Sequence, residues 1–507
     1  MKRTYMPVLV GAGQIKQDWT GEGGPVSAPS YVSLAIQAAQ KALQDIGPSI
    51  LSSEIDTITM TRTMEDSSRR IQPQFGRCNN LPRALAKGIG ANPKEAIYAH
   101  MGGQSPQSLI NEMAARIASG ECQIALICST EATGALKTAQ RNGHQLDYHS
   151  EIEGQLDDRG LGARLLSRPE VKHGLVTPAH LYALFENAYA HRQARDRSAH
   201  RQAMGELFSK FTEIAADNPH AQTPIKRTAE FLATPSKDNY PYASPYLKWH
   251  MAQDSVNMAA AMILMSDEKA DALGIDPEKR IYLHGAGEAE DVFVSERAHL
   301  DRSWAMQAAL TCALNGARLE IGDISHLDLY SCFPIAVFAS LQALELDWRQ
   351  EPRALTVTGG LPFFGGPGNA YSLHAIASMV ERLRRDKEKY GLILANGGWL
   401  SKEAAGIYSA KRPGEFRPVK PVQQTSNKLA LNLEPSQGKI ETFTVIYNRA
   451  GPKKGLILAR DQNGQRFIDQ TEAKDALHRL DQDTSCIGRD VSSRHKDEVN
   501  RFEFVSG

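Results

Sequence analysis

The sequence predicts a duplicated α/β fold with a helical insertion in its first half and a small β-rich unit at its carboxyl end. Three observations predict it. Segments of the first half recur in the second at a nearly constant spacing; the strands are continuous apolar runs; and beyond Arg412-Pro-Gly414 the chain changes to short strands separated by turns. Continuous apolar strands are buried on both faces, which requires helices on either side. At 507 residues the chain exceeds the roughly 250 to 300 at which one core stops growing, so two or three packed units follow.

The start, through Met6-Pro-Val-Leu-Val-Gly-Ala-Gly-Gln14, is too short an apolar run for a signal sequence or a membrane span and reads as a first buried strand. An amphipathic, alanine-rich helix follows at Leu34–Leu43, then an Ile-Gly pair and the strand Ile55–Met60; Trp304–Ala313 and Leu327–Tyr330 repeat that order. A second pair repeats it again. Met101-Gly-Gly-Gln-Ser-Pro106 opens a helix leading to the strand Ile124–Ser129, as Gly365-Gly-Pro-Gly-Asn369 opens one leading to Gly391–Asn396. The matched residues stand roughly 270 positions apart, which marks an internal duplication. Between 133 and 246 the pattern loosens into a charged stretch holding helices such as Pro178–Ala190, an insertion of the length used for lids. The expected units are therefore 1–275 with the insertion at 133–246, 276–412, and a barrel or sandwich at 425–507 built on Thr442–Tyr447 and Gly455–Arg460.

Lysine plus arginine and aspartate plus glutamate each total 58, so no net field draws in nucleic acid or anionic lipid, and a small molecule is the expected partner. Six cysteines are scattered without metal-type spacing, which predicts reduced thiols and a cytoplasmic setting. No metal ligand set and no tightly bound cofactor are expected. The last residues, Phe504-Val-Ser-Gly507, form neither a peroxisomal nor a lipidation signal.

In a parallel α/β structure ligands lie at the carboxyl ends of strands and at helix N-termini. Four segments occupy such places. In Met101–Pro106, Gly102 and Gly103 permit close backbone approach, Ser105 can cap and Pro106 suits the first turn; a plain helix start has the same look. In Asp328-Leu-Tyr-Ser-Cys-Phe-Pro334 a thiol and a hydroxyl stand before a helix whose dipole would lower a thiol pKa, although a cysteine beside Phe333 is also what packing produces. Gly359–Asn369 is a rigid Gly- and Pro-rich loop whose inward donors suit an oxyanion hole, or equally a tight connection. In Ala395-Asn-Gly-Gly-Trp399 an amide and two glycines end a strand, which is also ordinary turn chemistry. Of the nearby histidines only His374 lies on the helix that the Gly-rich loop opens.

The two halves, the Gly-rich helix starts, the insertion and the order of the four loops resemble the thiolase superfamily over roughly residues 5 to 412. The resemblance is greatest to sterol-carrier-protein-type thiolases and thiolase-like proteins type 1, the latter with an added C-terminal domain like Gly438–Tyr447 and Gly464–Phe467. It implies a layered α-β-α-β-α core and a barrel or OB-like terminal unit. The family's nucleophilic cysteine falls on or beside Gly103. The Gly-His-Pro histidine is replaced within Gly365-Gly366-Pro367, and the second cysteine falls at Leu394 or Ala395. The His-Asp-Cys-Phe signature of the sterol-carrier branch corresponds to Tyr330-Ser331-Cys332-Phe333.

Loss of two thiols and an imidazole removes a unit whose members are strongly non-additive, so ordinary thiolase activity is not expected. What the resemblance leaves is an acyl-CoA site: Cys332, Tyr330 and His374 as candidate catalytic groups, with Gly103, Gln104, Ser331, Phe333, Gly365, Gly366, Pro367, Asn369, Asn396 and Gly397 around the ligand. It implies an acyltransferase-like protein of lipid metabolism, a monomer or homodimer with coenzyme A thioester as substrate or ligand. The other reading is a non-catalytic binder of acyl-CoA or of an acyl chain.

Overall fold

The computed structural model describes residues 5–47, 52–68, 71–424, 427–482 and 484–505. The limits expected at residues 1, 425 and 507 fall outside those residues. The first half contributes β1 (Pro7–Lys16), β2 (Thr57–Met60), β3 (Glu95–Tyr98) and β4 (Ile124–Glu131), and the insertion adds β5 (Asp157–Asp158), β6 (Pro241–Ala243) and β7 (Tyr246–Leu247). β8 (Met258–Ser266) returns antiparallel to β4. The second half carries β9 (Ile281–Glu290), β10 (Ile324–Leu329), β11 (Tyr390–Gly397) and β12 (Lys402–Ser409), followed by β13 (Val422–Gln423).

All of these strands except β6 and β7 form one sheet in the order β10-β11-β12-β9-β1-β8-β4-β2-β3-β5, with β13 beside β9. Reading outward from the centre, β9-β12-β11-β10 repeats β1-β8-β4-β2, so the duplication inferred from the sequence is a duplication of strand order. The halves meet edge to edge through two pairings, Val8 with Tyr282 and Leu9 with Ile281.

The duplication extends to how helices seat on the sheet. Helix Tyr31–Ile46 lies on β1 and helix Trp304–Ala317 on β9. A side chain added at Gly11 would meet the Ala42 carbonyl at 2.5 Å, and one at Gly13 would strike the Ala38 carbonyl; Gly285 and Gly287 stand in the same relation to Ala313 and Ala309. Both helices thus press backbone to backbone on a Gly-Ala-Gly strand, which alanines at the contact permit and longer side chains would prevent.

Helices Ser105–Ser119 and Tyr371–Arg385 pack against each other and against strands of both halves, forming the central layer of the expected α-β-α-β-α stack. Ser105 is the first helical residue and its hydroxyl donates to His100 O (2.7 Å), so it does not cap the helix as the sequence suggested.

After β13 come β14 (Gln437–Asn448), β15 (Gly451–Arg460), β16 (Arg466–Thr471), β17 (Asp490–Lys496) and β18 (Val499–Phe504). β14 pairs with both β15 and β17, β15 with β16, and β16 with β18, which pairs with β17: a closed five-stranded barrel of OB-like size. Its interior is filled by Phe443, Val445, Ile457, Phe467 and Phe502. The insertion reaches it through β6, where Ala243 pairs with Ile446. Among the described residues no helix is long and apolar enough to cross a membrane.

Candidate functional site

The strand ends of the second half and the start of helix Ser105–Ser119 converge on Gly103. A side chain there would begin 2.5 Å from the Tyr330 hydroxyl, 3.0 Å from its ring and 2.5 Å from the Asn396 carbonyl. Tyr330 therefore occupies the volume into which a residue at 103 would project. Its ring is held edge-on to Tyr371 at 5.4 Å, and burial raises its pKa well above the phenol value. The strand residue that faces Gly103 is Asn396, whereas Leu394 and Ala395 lie inside the sheet.

Gln104 turns its side-chain oxygen between Gly102 and Gly397, and that oxygen is buried without a hydrogen-bond partner among the described residues. Ser331 is fully buried and its hydroxyl accepts from Leu361 N (3.2 Å), which makes it a brace for the Gly-rich loop. Phe333 stacks on Tyr182 at 4.5 Å and leans on Tyr246 at 4.9 Å.

Cys332 lies beneath these rings, 8 % exposed. Asn396 Nδ2 points at its sulfur (3.7 Å) and donates to Tyr182 Oη (2.7 Å), which in turn donates to Gly398 O (3.2 Å). The sequence left two readings of this residue, a thiol activated by the following helix and a cysteine that packs beside Phe333. Burial pushes the thiol up to about 12; the nearby Glu403 adds to the rise, and the polar groups of Tyr182, Phe333 N–H and Asn396 offset only part of it.

Three further groups were not singled out from the sequence. Glu403 stands directly across from Asn396 in the β11–β12 pair, is 1 % exposed, and neither carboxylate oxygen has a hydrogen-bond partner among the described residues. Burial raises its pKa well above the carboxylate range, and Arg297 opposes the rise. Arg297 is itself buried, donating through Nε to Val292 O (3.1 Å) beside Asp291 (3.5 Å). The hairpin signal of two apolar runs flanking Asn-Gly-Gly would have paired Asn396 with Glu403. Tyr182 sits on the insertion helix Pro178–Arg192, which is buried on most of its surface, its polar His180, Glu186 and Asn187 included.

Most N–H groups of the Gly-rich loop, read from the sequence as possible oxyanion donors, are engaged within the fold. Gly359 N–H donates to Thr356 Oγ1, Gly360 to Thr358 Oγ1, Leu361 to Ser331 Oγ, Phe363 and Phe364 to Gly360 O, and Gly366 to Gln253 O. Gly365 and Gly366 pack on Val256 and Ala252, and Pro367 is buried with them. Asn369 is saturated: Gly102 N–H donates to its Oδ1 (3.2 Å), and its Nδ2 donates to Arg62 O (2.7 Å) and Ser67 Oγ (2.9 Å). It ties the loop before Gly103 to the end of β2. Under this loop Asp328 accepts from Thr356 Oγ1 (2.8 Å), Val357 N (2.9 Å) and Tyr371 Oη (3.1 Å), and burial pushes it up to about 6.

His374 is not part of the cluster. It is fully buried 5.5 Å from the Phe364 ring, its Nδ1 3.2 Å from Gln14 Oε1, and burial lowers its pKa to about 3, which fixes it as a neutral core imidazole. Four clefts on the described surface are lined by other residues, and Tyr330, Cys332, Asn369 and Asn396 are themselves buried. A cleft of about 180 Å³ does reach the cluster's outer shell through Arg297 and Trp399, whose ring meets Tyr182 edge-on.

Residues 420–498 match the family described as the thiolase-like protein type 1 additional C-terminal domain. The whole chain is 32% identical to a monomeric SCP2-thiolase like protein type 1 from Mycobacterium smegmatis, with 100% of both chains covered and a TM-score of 0.82. An acetyl-CoA acetyltransferase from Syntrophomonas wolfei shares the fold at 17% identity, over 80% of this chain and 100% of that one, TM-score 0.58. The human mitochondrial trifunctional enzyme subunit beta is 26% identical over 150 residues, 27% of this chain and 30% of that protein's length.

Proposed function

The chain belongs to the SCP2-thiolase-like type 1 proteins, and on that premise we propose that it binds an acyl-CoA thioester, or the acyl portion of one, without thiolysis. The observation that carries this reading is the Tyr330 hydroxyl in the space that a Gly103 side chain would need. No nucleophile stands at 103, no histidine stands at 366, and burial holds the one thiol in the cluster protonated near neutral pH. Groups that act as a unit lose nearly all activity when one is removed, and here three are replaced together. The covered outer edge of β3, where Ile97 and Tyr98 pair with β5, supports a monomer.

A second reading, covalent acyl transfer through Cys332, is favoured by Glu403. It is a buried carboxyl group near enough to Cys332 to raise the thiol's pKa, with no hydrogen-bond partner for its oxygens among the described residues, and in its ionised form it could take the thiol proton. One experiment separates the two. The chain is incubated with acetyl-, acetoacetyl- and decanoyl-CoA, binding is read by calorimetry, thioester consumption by product analysis, and adducts by intact mass. Binding with no consumption and no adduct is expected. A +acyl mass lost in Cys332→Ala overturns the binding reading in favour of the second, and absence of binding by all three thioesters overturns both.

A further inference from the structure

The strand ends of the first half carry a groove that the family relationship does not assign. It has a volume of about 530 Å³, in the range of small-molecule sites, and lies between helix Tyr31–Ile46 and helix Leu81–Ile89. Val32 and Ile36 form one wall, Leu81 and Ala84 the other, and Tyr148 and Ile152 close it from the insertion. Gly88 lets the helices approach at the far end, where a side chain would run into Ile36.

The other end is polar and acidic. Here β2 runs into Thr63-Met64-Glu65-Asp66, so the groove opens at the carboxyl end of a parallel strand, where ligands of such sheets bind. Asp66 accepts from Tyr98 Oη (2.7 Å) and Thr63 Oγ1 (3.2 Å) and faces Arg77 at 3.3 Å. Glu65 stands beside the buried Tyr31 hydroxyl, with Asp66 and Arg77 as its charged neighbours, and burial raises its pKa. Behind them Glu131 is fully buried; it accepts from Met64 N (2.7 Å) through one oxygen, while the other has no partner among the described residues.

Glu65 and Asp66 thus line the groove where the head of a ligand would sit, with Glu131 buried behind them and Arg77 already engaged by Asp66, while Lys87 lines the groove beside Gly88 at its far end. An anionic head would meet repulsion there, whereas a neutral carbonyl or hydroxyl finds the Tyr31 and Glu65 groups as hydrogen-bond partners. We propose that this groove is a binding site for an elongated apolar molecule ending in a neutral ketone or alcohol, its chain between Val32, Ile36, Leu81 and Ala84 and its oxygen at Tyr31 and Glu65. The site is separate from the Gly103 cluster and does not rest on the reading given above.

Calorimetric titration of the full chain at pH 8 with 2-decanone, 1-decanol and decanoate tests it. The ketone or the alcohol is expected to bind, with decanoate at least tenfold weaker. Glu65→Gln is expected to keep ketone binding and narrow that gap below threefold, and Val32→Trp to abolish binding while circular dichroism stays native. Ile36→Phe serves as the filling variant if Val32→Trp does not fold. Decanoate binding as tightly as the ketone, binding unchanged in the filled groove, or no binding of any of the three overturns the proposal. Acyl-CoA binding is measured in the same samples, so failure of one reading is told apart from failure of the other.

Discussion

The hydroxyl of Tyr330 lies 2.5 Å from the point at which a side chain on Gly103 would begin, so the two positions are sterically exclusive. A cysteine restored at 103 is therefore expected to overpack the site and cost about 1 to 3 kcal/mol. In a double-mutant cycle read by urea denaturation, Gly103→Cys is expected to cost at least about 1 kcal/mol less in a Tyr330→Ala background than in the wild type. Additive effects would show that the space is not shared.

The Cys332 thiol, pushed up to about 12, is almost wholly protonated at pH 8. Its alkylation by iodoacetamide, followed by peptide mass spectrometry, is expected to run on the order of a thousandfold slower than that of a free thiol. The half-buried Cys78 and Cys312 are expected to react first. Labelling of Cys332 at their rate would contradict its burial among Tyr182, Phe333 and Asn396.

His374 has a folded pKa lowered to about 3, below its ordinary value of 6.5, so folding favours the neutral ring. The stability this carries is complete above pH 6.5 and is lost as pH falls toward 3. Between pH 6 and pH 4 the wild type is expected to lose about 2.5 kcal/mol more than His374→Phe, measured by denaturant unfolding at each pH. Parallel pH profiles would mean that the ring protonates in the folded chain.

Asp328 is a buried acceptor for Thr356, Val357 and Tyr371. Asp328→Ala leaves these donors unpaired and is expected to cost about 3 kcal/mol; Asp328→Asn keeps an acceptor and should cost less than half of that. Because its folded pKa is raised to about 6, its contribution is greatest below its unfolded value and is lost as pH rises through 6. The gap between wild type and Asp328→Asn should thus shift against the wild type from pH 4 to pH 7, as read by urea midpoints.

Much of the fold was legible because duplication leaves local marks. Gly11-Ala-Gly13 and Gly285-Ala-Gly287, with the alanine-rich helices that cover them, are short-range patterns, and their repetition at one spacing predicts a repeated strand order. Gly103 and Gly366 themselves are legible as residue identities, and the reading placed on them rests on the resemblance. The site's openness was not legible. Glycine and proline in Gly359–Asn369 specify a tight loop, but whether its N–H groups face a ligand or Thr356, Thr358 and Gln253 depends on segments distant in sequence.

The sequence by itself determined the duplicated layers and a small β-rich terminal unit, because both follow from periodicity and turn chemistry, and it placed glycines at 103 and 366. Only the tertiary structure decided that Tyr330 fills the vacated space, that Cys332 is a buried protonated thiol rather than an activated one, and that Glu403 stands across from Asn396. Those outcomes turn on desolvation and close contact between residues up to several hundred positions apart, quantities that local sequence does not carry.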